Sequence, residues 1–358
     1  MDNNYNLFAY MKWRGDLSIK EFPLNEVDAL ILSELSYIRF EGVVPEVGSE
    51  EVITIEEANR RYEKKNLRML YYAEKERMFE AMATCPRYKD MTLCNYTSTL
   101  DYEEQEQFAA LHINLTPYQT FVAFRGTDSS IVGWREDFNM SYMMPVPAQQ
   151  SAVDYVNQTV KGMFRKYYIG GHSKGGNLAI YSGVFCEPRI QKKLIQIFSF
   201  DGPGFNRKMI NDPAYKMVQD KILAFVPEES VVGLLMEHEE DYIVVQSEGV
   251  SLLQHEGFTW RISRDNFELA DELNPSSKNM SVALKNWLQK VSPEERKSLV
   301  DTFFSLFEKA DIHDFAELLD MDAKTTASLI KAVATVPKQE RELAGKLIKL
   351  FIEENGQI

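Results

Sequence analysis

"KYYIGGHSKGGNLAIYSGVF", Lys166 to Phe185, decides the fold. Its first part, "KYYIGGHS", reads as a strand, and "KGGNLAIYSGVF" reads as a helix, with the turn falling inside Gly171-His172-Ser173-Lys174-Gly175. Gly-x-Ser-x-Gly at a sharp strand–helix turn holds the serine in a strained conformation with its oxygen exposed, and the flanking glycines remove the Cβ atoms that would clash there. The start of the helix adds partial positive charge where an oxyanion develops. This frame marks Ser173 as a nucleophile; a glycine-rich turn without chemistry is the plainer alternative. Lys174 is unusual at its place, since a positive charge in the first turn of a helix costs roughly 0.3–1 kcal/mol. It is explained either by a salt bridge to Glu136 or Asp137, or by contact with a carboxylate or phosphate on an anionic substrate.

Around this turn, "EQFAALHINLT", "YQTFVAFRGT", "LIQIFSFDGPG" and "KILAFVPEES" are short apolar runs closed by Gly, Pro or polar clusters, which read as strands. "DYIVVQS" and "FTWRIS" add later ones. Helical patterns such as "SAVDYVNQTVKGMFRKY" lie between them, so the expected architecture is α/β: an α/β-hydrolase fold with a mostly parallel sheet and helices on both faces. The first hundred residues read as mostly helical. In "FPLNEVDALILSELSYIRF", Asn25 is a candidate N-cap ahead of Val27, Leu30, Ile31, Leu35 and Ile38 at helical spacing. "TIEEANRRYEKKNLRMLYYAEKERMFEAM" continues as packing helix. After about Ser263 the strands are expected to stop. The remainder reads as a helical bundle broken at "NPSS", "SPEE", near "DMDA" and at "VPKQ", with Ser292-Pro293-Glu294-Glu295 resembling a helix start. The expected division is residues 1–264, an α/β-hydrolase domain with a helical N-terminal region, and 265–358, a C-terminal helical bundle.

Composition narrows the function classes. The 358 residues carry a net charge of -14 with 44% hydrophobic and 26% charged residues. That is a globular composition whose acidity disfavours nucleic acid. The three cysteines, Cys85, Cys94 and Cys186, show no zinc spacing. The start "MDNNYNLFAYMKWRGDL" lacks a secretory pattern, and no apolar run approaches the roughly 20 residues that span a bilayer. A cytoplasmic protein without integral membrane contact, metal or cofactor is expected.

Upstream of the serine, "TFVAFRGTDSSIVGWREDF" ends a strand at Phe124 and turns at Arg125-Gly126-Thr127. Such a turn can aim the Thr127 N–H at the same point as the Lys174 N–H, and two such donors make an oxyanion hole. Arg125 and Asp137 are expected to pair and brace that loop.

"FVAFRGT", Trp134, Asp137 and "GGHSKGGNLA" together resemble the class 3 lipases, which carry leucine where Lys174 stands. With "DGPGF" and the "QH" of Gln254-His255, the chain resembles still more closely a bacterial lipase-like family without assigned function. The lipase-like part covers about residues 92 to 263, and "YMKWRGDLSIKEFPLNEVDALILSELSY" also looks like the second family. The resemblance implies an α/β-hydrolase fold with Ser173 as nucleophile and Thr127 and Lys174 as oxyanion donors.

The base of such a site follows the nucleophile late in the sheet. His112, His172 and His313 lie in the wrong places, and His238 sits among acids on an expected solvated face. His255, in a loop before a strand, has the right order. For the acid, Asp201 enters the Gly-Pro turn after "LIQIFSF", and Glu229 ends the next strand. In class 3 lipases the acid follows that later strand, and alignment puts Ser230 there. A short carboxylate in a rigid turn orients an imidazole better, which favours Asp201, with Glu229 as the alternative. The expected activity is that of a serine esterase or lipase-like hydrolase acting on a small-molecule ester, neutral or anionic. "MSYMMPVP" and "VVGLLM" are candidate walls of an acyl pocket. The competing expectation is a binding or regulatory protein on a hydrolase scaffold, its C-terminal helices serving an unidentified protein partner.

Overall fold

The computed structural model describes residues 5–65, 71–315, 317 and 323–356. The "NLRML" of the second helical stretch, the first four residues and most of "DMDA" lie outside them.

Eight strands form one sheet in sequential order: β1 (Ile53–Thr54), β2 (Thr92–Asp101), β3 (Glu106–Thr116), β4 (Gln119–Phe124), β5 (Lys166–His172), β6 (Leu194–Phe200), β7 (Ile222–Pro227) and β8 (Tyr242–Val245). The first four pair antiparallel, and β4 to β8 run parallel. Sequential parallel strands always step in the same direction. Because crossovers are right-handed, their helices must then gather on one face. That face carries α6 (Pro147–Thr159) and α7 (Lys174–Phe185), followed by the short α8 (Pro188–Gln191), α9 (Arg207–Ile210) and α10 (Pro213–Val218). The crossover from β4 also contains α5 (Ile131–Asn139).

The opposite face would be left bare, and the N-terminal region covers it. Here lie α1 (Leu7–Arg14), α2 (Glu26–Leu35), α3 (Ile55–Arg61) and α4 (Tyr72–Thr84). Strand alternation feeds both layers. Phe121 and Ala123 of β4 enter the core under α2, while Val122 and Phe124 enter the core under α6 and α7. Helix α2 starts in a capping box in which Asn25 and Asp28 satisfy each other's backbone N–H. Asp28 is also the buried partner of Arg87, Tyr10 and Tyr88, which pins α2 to the chain that follows α4.

Two departures from the sequence reading stand out. "TLCNYTSTLD" forms β2, with Ser98, Thr99 and Leu100 exposed, so its polar residues concealed a ten-residue strand. Strands continue past Ser263: β9 (Ile262–Ser263) and β10 (Asn266–Phe267) make a separate hairpin, with Phe267 buried against Trp260 and Phe200. Among the described residues four helices follow: α11 (Pro275–Lys290), α12 (Pro293–Lys309), α13 (Ala323–Thr335) and α14 (Lys338–Gly356). Ser292 and Glu295 form the capping box of α12. That helix packs through Val300, Phe304 and Phe307 on Ile131 of α5, and Arg135 of α5 pairs with Asp301 and Glu308. The three cysteines are buried and free. Among the described residues, no helix is long and apolar enough to cross a membrane.

Candidate active site

Ser173 stands between β5 and α7 at φ 58°, ψ −132°, a left-hand-side conformation that an L residue holds only when its surroundings impose it. The glycines explain how. A Cβ at Gly171 would lie 2.3 Å from the Gly175 carbonyl carbon, and one at Gly175 would lie 2.2 Å from the Phe124 carbonyl oxygen. No side chain fits at either glycine. The Ser173 N–H donates to the Phe200 carbonyl at 2.9 Å, tying the turn to the end of β6, and the side chain is partly exposed.

Asp201 follows directly at that strand end. It is fully buried, and at φ 50° it is likewise held in the left-handed region. Its Oδ2 lies 2.6 Å from Nδ1 of His255. Its Oδ1 accepts from Ser230 Oγ at 2.5 Å and from the Gly233 N–H at 3.1 Å. A Cβ at Gly233 would come within 2.2 Å of Oδ1, so glycine there is a condition of the contact. Two donors on one oxygen leave the other aimed at the imidazole. Because Asp201 accepts at Nδ1, that nitrogen carries the proton and Nε2 is the free base.

His255 ends a 3-10 turn, Ser251–His255, after β8. Its backbone carbonyl accepts from His172 Nε2 at 2.6 Å, and the two imidazole centroids are 4.6 Å apart. His172 immediately precedes Ser173, so this contact sets the His255 loop beside that serine. His172 Nδ1 lies 3.2 Å from Tyr37 Oη and 3.6 Å from Glu34, whose carboxylate pairs with the buried Lys75 at 2.8 Å. Lys75 also meets Glu256 at 3.3 Å. The N-terminal helices therefore reach the site through Tyr37, Glu34 and Lys75. Burial alone would lower the His255 pKa; the hydrogen bond and charge of Asp201, with Glu256 and Glu34, outweigh it and hold the imidazole above its ordinary value. His172 shifts the other way, burial outweighing the pull of Glu34, which keeps it neutral.

Gly126 lies over the Ser173 turn. A Cβ there would meet Tyr37 Oη at 2.1 Å, the His172 carbonyl oxygen at 2.6 Å and Ser173 Cβ at 3.2 Å. Thr127 is therefore next to the serine. Its hydroxyl donates to Asp137 Oδ2 at 2.5 Å. Burial, opposed by Lys174 and by the Thr127 hydrogen bond, raises the Asp137 pKa to about 6.

Several sequence expectations are corrected. Arg125 pairs with Asp128, at 3.8 Å, and Asp137 instead braces Thr127 directly, because the turn points the guanidinium back toward the residue three places on. Glu229 does not meet the imidazole. Its carboxylate accepts from the Ser251 N–H at 2.6 Å and caps the turn that carries His255. Lys174 faces no substrate: its ammonium is fully buried, 2.8 Å from Glu136 Oε2 and 2.8 Å from both the backbone and side-chain oxygens of Gln107. His238 pairs with Glu240 at 3.0 Å and is mostly buried rather than on a solvated face. Of the candidate pocket walls, Met140 and Val146 are buried, and Leu234 joins a small core with Val226 and Leu273. Three contributors were not assigned a role from the sequence: Ser230, Gln107 and the Tyr37–His172 contact. Only Ser230 was indicated at all, by standing at the place of the lipase acid.

Serine on a strained turn after β5, carboxylate after β6 and histidine after β8, on a parallel sheet covered on both faces, define the α/β-hydrolase class of fold. The chain belongs to the Mbeg1-like family, whose description matches residues 82–305, well over half of its length. Solved structures similar to it include M37 lipase, at 16% identity and TM-score 0.33 over 45% of this chain and 62% of that one. The Rhizomucor miehei lipase propeptide complex matches at 17% identity and TM-score 0.32, over 47% of this chain and 58% of that one. A lipase from Rhizopus microsporus var. chinensis matches at 16% and 0.33, over 54% and 70%. The first two are thus covered for less than two thirds of their own length. At these scores the fold assignment rests on the sheet itself. Among curated proteins, none matches significantly.

Proposed function

We propose that this protein is a serine hydrolase of carboxylic esters. Ser173 Oγ attacks the ester carbonyl while His255 Nε2 takes its proton. The tetrahedral oxyanion is held by the N–H groups of Thr127 and Lys174. His255 then protonates the departing alcohol, leaving an acyl group on Ser173, and a water activated by the same imidazole releases the acid. Asp201 keeps the imidazole in the Nδ1–H tautomer and stabilises the imidazolium. The substrate class is a small ester. Its charge is not read by Lys174, whose ammonium is committed to Glu136 and Gln107.

The observation that carries this reading is the 2.6 Å contact between His255 and a wholly buried Asp201, beside a serine held at φ 58°. A structural histidine needs neither a carboxylate clamped by two further donors nor a strained neighbour. Purified protein should hydrolyse p-nitrophenyl acetate or butyrate, and Ser173→Ala should lower kcat by about 10⁴-fold or more while the thermal melt stays put. Equal activity in the two proteins would refute the assignment.

A further inference from the structure

The lysine after the nucleophile connects to the opposite side of the proposed oxyanion hole. Lys174 Nζ donates to Gln107 Oε1 at 2.8 Å, and Gln107 Nε2 donates to the Gly126 carbonyl oxygen at 3.4 Å. The amide orientation follows from chemistry: an ammonium only donates, so it faces Oε1, and a carbonyl only accepts, so it faces Nε2. The Gly126 carbonyl and the Thr127 N–H belong to one planar trans peptide and point in opposite directions. Whatever fixes the carbonyl also aims the N–H.

We propose that Gln107 and Lys174 are positioning residues that set the direction of the Thr127 N–H in the oxyanion hole. The proposal rests on the hydrolase reading of Ser173.

The chain runs Glu136 carboxylate, Lys174 ammonium, Gln107 amide, Gly126 carbonyl, Thr127 N–H. Every side chain in it is buried. Its two ends are fixed independently. Glu136 also accepts from the Gln107 N–H at 3.1 Å and from the Ala148 N–H at 2.8 Å, so it cannot swing away. Thr127 is held from its side chain by Asp137. The amide sits in a closed slot: a Cβ at Gly133 would lie 3.0 Å from Gln107 Oε1 and 3.0 Å from Thr127 Cγ2. A cation on the amide oxygen also polarises the amide N–H, and through it the peptide that carries the Thr127 donor. Lysine therefore works after the nucleophile at two points. Its backbone N–H is one oxyanion donor, and its side chain aims the other from behind. This is a use for a positive charge at a helix start that involves no substrate charge.

Two substitutions separate aiming from packing. Gln107→Met fills the slot but can neither accept from Lys174 nor donate to Gly126. Gln107→Glu keeps an oxygen for Lys174 at nearly the same shape and turns the donor facing Gly126 into an acceptor. On p-nitrophenyl butyrate both should lower kcat by about tenfold or more, less than the loss of a whole oxyanion donor, with KM within about twofold. An alkylboronic acid, whose tetrahedral adduct on Ser173 places an oxygen in the hole, should bind more weakly by the same factor. A merely structural glutamine predicts that Gln107→Glu, the closer mimic, is the milder change and that boronate affinity stays level. If either variant melts as wild type does and keeps both kcat and boronate affinity within twofold, the positioning role is wrong while the hydrolase stands. If wild type shows no Ser173-dependent hydrolysis, the hydrolase reading fails and this one falls with it.

Discussion

Replacing Lys174 by methionine removes one charge from a pair that is wholly out of water. Lys174 and Glu136 are both fully buried and 2.8 Å apart, and methionine fills nearly the same volume, so the change leaves an unpaired carboxylate rather than a cavity. Glu136 keeps two backbone donors, Gln107 N–H and Ala148 N–H, which lessen but do not cancel the loss. Breaking such a pair from one side costs about 3–5 kcal/mol. At about 2.1 cal/mol/K of unfolding entropy per residue, 358 residues unfolding together make each kcal/mol worth about 1.3 °C, so the melting temperature should fall by roughly 4–7 °C. Adding Glu136→Gln removes the stranded charge, and its one amide oxygen keeps one of the two N–H donors, which bond different carboxylate oxygens of Glu136. The double variant should recover at least about half of the loss, because replacing both partners is far milder than replacing one. Thermal unfolding of the four proteins of the cycle, followed by circular dichroism, gives the coupling energy directly. A single variant that melts within 2 °C of wild type, or a double variant less stable than the single, would refute the buried-pair account of this lysine.

Asp201→Asn should lower kcat by about 10⁴-fold by leaving the imidazole in the wrong tautomer, whereas Glu229→Gln, which only caps the Ser251 turn, should stay within about tenfold on p-nitrophenyl esters. His255→Ala should match the Ser173→Ala loss and His238→Ala should not, since His238 is held by Glu240 and takes no part in the site. The kcat/KM profile should fall on the acid side with an apparent pKa above 6.5, because Asp201 raises that of His255 and only the neutral imidazole is a base; in Asp201→Asn the residual activity should lose its acid limb at lower pH. Gly126→Ala should abolish activity and destabilise the fold, as its methyl would lie 2.1 Å from Tyr37 Oη and 2.6 Å from the His172 carbonyl; a melt and rate equal to wild type would show that the turn over Ser173 is not packed as described.

What could be read from residues alone was what local rules govern. The Ser173 turn announces itself because glycine is required on both sides of it. Asn25 announces α2 because a cap needs a side-chain acceptor. Asp201 and His255 follow from chain order at the strand ends. What escaped was set by partners far along the chain. Lys174 meets Glu136 and Gln107, 38 and 67 residues upstream, and no local pattern ranks those over Asp137 or a substrate. Arg125 has three acids within twelve residues, Asp128, Glu136 and Asp137, and pairs with Asp128. Strand β2 was hidden because its second half, Thr97–Asp101, is mostly polar and open to water, with neither an apolar run nor an alternation to mark it. The layer made by α1 to α4 follows from strand order: five parallel strands in sequence leave one face uncovered, and order is a property of the sheet, not of any strand.

The most direct test of the central claim is covalent. Wild-type protein, Ser173→Ala and His255→Ala should each be treated with a fluorophosphonate and examined by intact mass and peptide mapping. Wild type should gain one phosphonyl group, mapped to the peptide containing Ser173. Ser173→Ala should gain none, and His255→Ala should react slower than wild type by orders of magnitude. Folded wild-type protein that stays unlabelled, or a label carried equally by Ser173→Ala, would contradict a nucleophile at Ser173.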